Sequence, residues 1–182
     1  MPASSLSNFV RHYLLAVQFF TRLPITGRLA GWVGYSPEML RASAAHFPGV
    51  GWLVAAVAMG VYTLLWTALA GSSGAALVAA VFSTAATVWL TGGLHEDGLA
   101  DVADGLGGRL ARYRALQIMK DSHIGAFGSL ALVLALLAKV ALLALLGTHG
   151  LGFVLAALAG GHVSSRFWPL LLVRVLPHIG DA

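Results

Sequence analysis

The sequence predicts an all-α fold: a polytopic membrane helical bundle of about four transmembrane helices. An N-terminal interfacial helix and a cytoplasmic helical segment, first acidic and then basic, complete it. Three observations predict this. Of 182 residues, 58% are hydrophobic and only 10% charged, whereas a soluble domain carries about 25% charged residues. Four runs are apolar over the roughly 20 residues needed to cross a hydrocarbon core as helix. Five of the seven acidic residues, Glu96, Asp97, Asp101, Asp104 and Asp121, fall in one short stretch between the second and third of those runs.

The chain reads as a single membrane domain, 1–182, in four parts. Residues 1–46 form an N-terminal cytoplasmic or interfacial segment. Within it, 14–20 is apolar but short, and Thr21-Arg22-Leu23-Pro24 follows where a signal peptide would place small residues. Arg11, His12, Gln18 and Arg22 make 9–25 an interfacial helix rather than a fifth span. The runs 47–70 and 75–94 are joined by Gly71-Ser72-Ser73-Gly74, so 47–94 is a helical hairpin. The runs 124–147 and 151–176 are joined by Thr148-His149-Gly150, so 124–176 is a second. Residues 95–123 lie between the hairpins as the segment that carries the chemistry.

Basic residues set the orientation. Arg11, Arg22, Arg28 and Arg41 precede the first run, and Arg109, Arg112, Arg114 and Lys120 lie between the hairpins. The two short links hold no Lys or Arg. Cytoplasmic loops carry the positive excess, so the N-terminus and 95–123 are expected in the cytoplasm, and an even number of spans agrees. The net charge of +4 is explained by these flanking cations, not by nucleic acid. The absence of cysteine excludes disulfides, thiolate metal sites and a cysteine nucleophile.

Placed on a helix at about 100° per residue, Asp97, Asp101 and Asp104 fall within roughly 60° of one another. Leu99, Val102, Ala103 and Leu106 take the other side, and Glu96 lies off the stripe. Charge runs are usually just solvated faces. Here, however, like charges one turn apart destabilise a bare helix, and a mid-membrane carboxylate costs about 2.5–3.5 kcal/mol. A divalent cation is an economical offset, since hard oxygen ligands suit Mg²⁺, Mn²⁺ or Ca²⁺. Mg²⁺ takes one or two carboxylates and completes its shell with water and phosphates, which points to phosphate chemistry. Gly98 and Gly105 leave the helix surface bare for close approach, and Gly107-Gly108 is expected to end it.

The stretch 109–123, read as a helix, brings Arg109, Arg112 and Lys120 within about 80° of each other. Cations beside a metal-binding stripe are what a pyrophosphate requires. Lys120, Asp121 and Ser122 sit just before the third run. In the fourth run, Gly160-Gly161-His162-Val163-Ser164-Ser165-Arg166 interrupts the apolar pattern. His162 and Arg166 are one turn apart and share a face, as intramembrane ionisable residues facing a wet interior do. Small residues for close helix packing would produce the same string. Lys139 in the third run has no obvious local partner.

The string Leu94-His95-Glu96-Asp97-Gly98-Leu99-Ala100-Asp101-Val102-Ala103-Asp104-Gly105 resembles the signature of the cobalamin synthase family, the adenosylcobinamide-GDP ribazoletransferases. So does Ile118-Met119-Lys120-Asp121-Ser122-His123-Ile124-Gly125. Phe19-Phe20-Thr21-Arg22-Leu23-Pro24, Gly161-His162 and Ser165-Arg166 match in the same order. The family usually has arginine near position 123, and its members continue further, so the chain is expected to be truncated at its C-terminus relative to them. The resemblance implies an Mg²⁺-dependent transferase. It would join adenosylcobinamide-GDP to α-ribazole or its 5′-phosphate, releasing GMP, at the last assembly stage of cobalamin biosynthesis. Carried onto this chain, Asp97, Asp101 and Asp104, with Glu96, would hold the metal. Arg109 and Lys120 would stabilise phosphoryl charge. Asp121 would be a further ligand or the acceptor of the hydroxyl proton. Arg112, Ser122, His162, Ser165 and Arg166 would contact substrate. The expected setting is the bacterial inner membrane. The expected partners are the two substrates and the lipid bilayer, with a homo-oligomer or corrinoid-assembly complex as the larger assembly.

Two other readings compete. A CDP-alcohol phosphotransferase of phospholipid synthesis also uses clustered aspartates, but needs a second pair at four-residue spacing, and only Asp121 follows here. A divalent cation transporter or channel would use intramembrane carboxylates, but the neighbouring basic stripe would repel its cargo.

Overall fold

The computed structural model describes residues 5–108 and 111–176. Helix α1, Ser5–Phe20, leads into two short helices, α2 (Gly27–Val33) and α3 (Pro37–Ser43), and a single 3₁₀ turn, Ala44–His46. The long helices α4 (Phe47–Ala68) and α5 (Ala75–Thr91) follow. Then come α6 (Leu94–Gly107), α7 (Arg112–Ile118), α8 (Ala126–His149) and α9 (Leu151–Val175). Among the described residues there are no strands. The four apolar runs thus appear as α4, α5, α8 and α9, close to their expected bounds.

Among the described residues, two stretches are long and apolar enough to cross a membrane: 37–68, with a mean hydropathy of 1.7, and α8, at 2.6. Helices α5 and α6 pass the same test together but are bent by 87° at their junction. Helix α9 is long enough, yet His162, Ser164, Ser165 and Arg166 interrupt its middle. Length and composition therefore support two spans, or three if the bent pair counts as one, against the four expected. Either count describes a membrane protein.

Small residues let the helices approach closely. Ala58 and Tyr62 of α4, Ala79 and Ala80 of α5, Leu143 of α8, and Val154 and Leu158 of α9 form one core. The Ser83 hydroxyl donates across it to the Ala58 carbonyl at 2.9 Å. Gly51 of α4 is buried against the α9 backbone: a Cβ there would lie 2.6 Å from the His162 carbonyl oxygen and 2.8 Å from the Val163 Cα. A second core joins α1 to α4 and α5 through Ala16, Val17, Phe20, Val50, Val54 and Leu90. The segment expected to be interfacial is thus docked on the bundle. The Arg22 amide donates to the Leu90 carbonyl at 2.7 Å, and the Arg11 guanidinium to the Val33 carbonyl at 2.9 Å.

The bend between α5 and α6 is made by Gly92 (φ 69°) and Gly93 (φ 75°). Two successive left-handed residues reverse the helical path, and a side chain would cost about 1–2 kcal/mol at each. The bend lays α6 against α8.

The stretch 109–123 departs from the expected single helix. Helix α7 covers only Arg112–Ile118, and Lys120 follows in a turn. The physical cause is Asp121, whose carboxylate accepts from the His123 amide at 3.1 Å. Such side-chain-to-backbone bonds compete with helical ones. No continuous cationic stripe therefore runs from Arg112 to Lys120. Arg109 lies outside the described residues.

Candidate functional site

Helix α6 carries the acidic residues as one stripe, and three neighbours divide it. Asp97 and Asp101, one turn apart, line a cleft of about 360 Å³ with Gly92, Gly93, Ser122 and His123. Asp97 is exposed and Asp101 half-buried. Asp104, at the end of the stripe, meets the start of α8. Its carboxylate accepts from the Gly125 amide at 2.7 Å and the Gly128 amide at 2.8 Å. A helix start leaves four N–H groups without intrahelical partners, and Asp104 caps these from a different helix. Its negative charge also opposes the positive end of the α8 dipole. Glu96 faces away from the cleft into a second cavity.

The four carboxylates expected around a metal are therefore not brought to one point. Among the described residues, no three His, Asp or Glu side chains gather closely enough to hold an ion. The donor set does fit Mg²⁺ in its usual manner, with one or two carboxylates and the rest of the shell from water and a phosphate substrate. Asp97 and Asp101 are the residues that would hold it.

The loop before α8 forms the other wall of the cleft through Ser122 and His123. The Asp121 carboxylate lies 2.6 Å from His123 Nδ1. This hydrogen bond raises the pKa of His123, and the same contact lowers that of Asp121. Lys120 and Arg112 are both exposed.

The second cavity, of about 600 Å³, lies among α5, α6, α8 and α9. Its polar lining includes His95, Glu96, Lys139, His162, Ser165 and Arg166. Arg166 is only 2% exposed. One guanidinium nitrogen donates to the His162 carbonyl (3.1 Å) and the Ser165 hydroxyl (3.2 Å). Its Nε has no protein partner, and neither has Glu96 Oε2. Phe20 of α1 covers the guanidinium, with its ring centre 5.4 Å from the central carbon. The structure thus unites His162, Ser165 and Arg166 with Glu96, 66 or more positions earlier, and with Lys139, which the sequence left without a role. The available signal was a lone lysine in an otherwise uncharged 24-residue helix, since such residues mark functional interiors by default.

Fold and site together define a helical membrane protein with a two-carboxylate cleft beside a cationic cavity. The chain belongs to the cobalamin-5-phosphate synthase family, whose model matches residues 12–182. Among curated relatives, an adenosylcobinamide-GDP ribazoletransferase of Polaromonas naphthalenivorans is 62% identical over 185 residues, covering 95% of this chain and 66% of the relative. That of Albidiferax ferrireducens is 62% identical over 177 residues, covering 97% and 63%. That of Leptothrix cholodnii is 49% identical over 180 residues, covering 98% and 64%. The chain spans about two thirds of the length of these relatives. No solved structure matches. The phospholipid-enzyme and ion-channel readings gain nothing from these comparisons.

Proposed function

We propose that the chain carries the phosphoryl-transfer centre of an adenosylcobinamide-GDP ribazoletransferase. A hydroxyl of α-ribazole, or of its 5′-phosphate, attacks the corrinoid-side phosphorus. A new P–O bond forms, the pyrophosphate P–O bond breaks, GMP leaves with the bridging oxygen, and the hydroxyl proton passes to solvent. The observation that carries this is the Asp97–Asp101 pair lining one cleft, in a chain whose relatives bear that enzyme's name.

Asp97 and Asp101 would hold Mg²⁺, which when bound would supply charge neutralisation and polarisation at the pyrophosphate. Lys120 and Arg112 supply further positive charge from the exposed loop and from α7, and Arg109 belongs to the same group. Ser122 contacts the substrate at the cleft wall. The lowered pKa of Asp121 makes it a weak proton acceptor and suits it to ordering the loop through His123. The cleft faces the cytoplasm at a bacterial inner membrane, in keeping with Arg112, Arg114 and Lys120 on that side.

The test is GMP release from adenosylcobinamide-GDP plus α-ribazole, with and without Mg²⁺. It is run on membranes holding this chain and, in parallel, on membranes holding the Polaromonas relative. Mg²⁺-dependent release is expected, falling at least about 100-fold in Asp97→Ala and Asp101→Ala, as for the loss of transition-state charge stabilisation. Normal turnover in both variants of the relative would remove the metal assignment.

A further inference from the structure

The acidic cleft accounts for one reactant, and the larger cavity holds more positive charge than negative. A buried guanidinium without a carboxylate costs several kcal/mol unless something satisfies it. Arg166 nevertheless stands almost wholly buried with an unpartnered Nε, and Glu96, which lines the same cavity, has a buried oxygen without a protein partner. With Lys139, the wall carries two fixed positive charges against one negative. Further along the same two helices the lining is apolar, with Leu142, Leu143 and Leu146 of α8 and Leu158 of α9. Anion-binding groups at one end and leucines at the other suit a phosphate joined to an apolar ring system. A volume of about 600 Å³ is in the range that encloses a small organic ligand. A corrinoid is far larger.

Position adds to this. Glu96 and Asp97 are successive residues in the first turn of α6, and they face different spaces. The cavity and the cleft are therefore separated by a single turn of helix. A ligand seated in the cavity has its near end beside the carboxylates that face the donor pyrophosphate.

We infer that this cavity seats the acceptor, a nucleoside 5′-phosphate with an apolar fused-ring base. Its base lies against the α8 and α9 leucines. Its phosphate lies on Arg166 and Lys139, and a ribose hydroxyl donates to Glu96. The inference rests on the proposed reaction only for the identity of the acceptor. It identifies the intramembrane cations as acceptor-binding groups, separate from those that neutralise the donor pyrophosphate.

The test is direct binding, by calorimetry, to protein in phosphatidylcholine nanodiscs without Mg²⁺. The ligands are α-ribazole 5′-phosphate and α-ribazole. The wild type is expected to bind the phosphate form roughly ten- to a hundredfold more tightly, the usual worth of charge-assisted hydrogen bonds. Lys139→Gln and Arg166→Gln should each erase most of that preference and leave α-ribazole affinity in place. If Arg166→Gln fails to fold, Lys139→Gln decides alone, since Lys139 is less buried than Arg166. Equal wild-type affinity for the two ligands, or an unchanged preference in Lys139→Gln, would overturn the inference. So would loss of ribazole-phosphate binding in phosphatidylglycerol nanodiscs, which would mark the cavity as a lipid site. GMP release without any phosphate preference would sink the inference and leave the reaction standing. A phosphate preference in a protein that never releases GMP would do the reverse.

Discussion

Asp104 shows how a single residue can carry two assignments that experiment separates. As the cap on α8, it holds two backbone amides. Asp104→Ala leaves both without a partner, at about 1–3 kcal/mol for each buried group. Asp104→Asn retains one acceptor oxygen and should lose about half as much, visible as graded melting temperatures in detergent. A metal ligand would behave differently: the Asn variant would keep its melting temperature and lose Mg²⁺-dependent turnover. The stripe of three aspartates was legible from helical period alone. The capture of Asp104 by α8 was not, because it depends on how two helices distant in sequence cross. The Asp121–His123 pair makes a second prediction at this scale. With its pKa raised, His123 contributes through its protonated form, fully at low pH and less as pH rises through its own pKa. With its pKa lowered, Asp121 contributes at higher pH and less as pH falls through its own. The loop is therefore best ordered between the two values. NMR titration should find the His123 imidazole above the usual histidine value in the wild type and returned toward it in Asp121→Asn.

Helices α4 and α9 touch through Gly51, and that contact positions His162 and Arg166. A methyl group there meets backbone atoms at 2.6 and 2.8 Å, which cannot yield without separating the helices. Gly51→Ala is expected to destabilise by about 1–3 kcal/mol, as overpacking does. It should also weaken ligand binding in the larger cavity more than in the acidic cleft. Melting temperature and ribazole-phosphate affinity together check this. The long helices were legible because apolar runs of membrane length leave little alternative. The helical periodicity of 109–123 does not persist beyond Ile118, because the local bond from the His123 amide to Asp121 competes with the helix there. The bend after α5 was concealed as well. Gly92 and Gly93 read as flexible punctuation, and only their conformation shows a right-angled turn.

The whole molecule places a tightly packed pair, α4 and α9, beside α8, which rests on α5, α6 and α9 yet keeps most of its apolar surface uncovered. Only 11% of the apolar window of α8 is buried, against 33% for 37–68. The hairpin pattern and the intervening polar segment were readable from composition and turn residues. The arrangement that makes a site was not, because Glu96, Lys139 and Arg166 come from three helices with no shared spacing. Their meeting depends on the fold of α6 against α8. That bent helix has a thermodynamic consequence. Its first turn is a wall common to two binding spaces, so an occupant on one side that shifts it alters affinity on the other. Any such coupling is reciprocal by linkage. The factor by which ribazole phosphate changes affinity for the Mg²⁺-bound donor must equal the factor by which that donor changes affinity for ribazole phosphate. Two titrations, each with and without the second ligand as a non-reactive analogue, should return a single cooperativity constant.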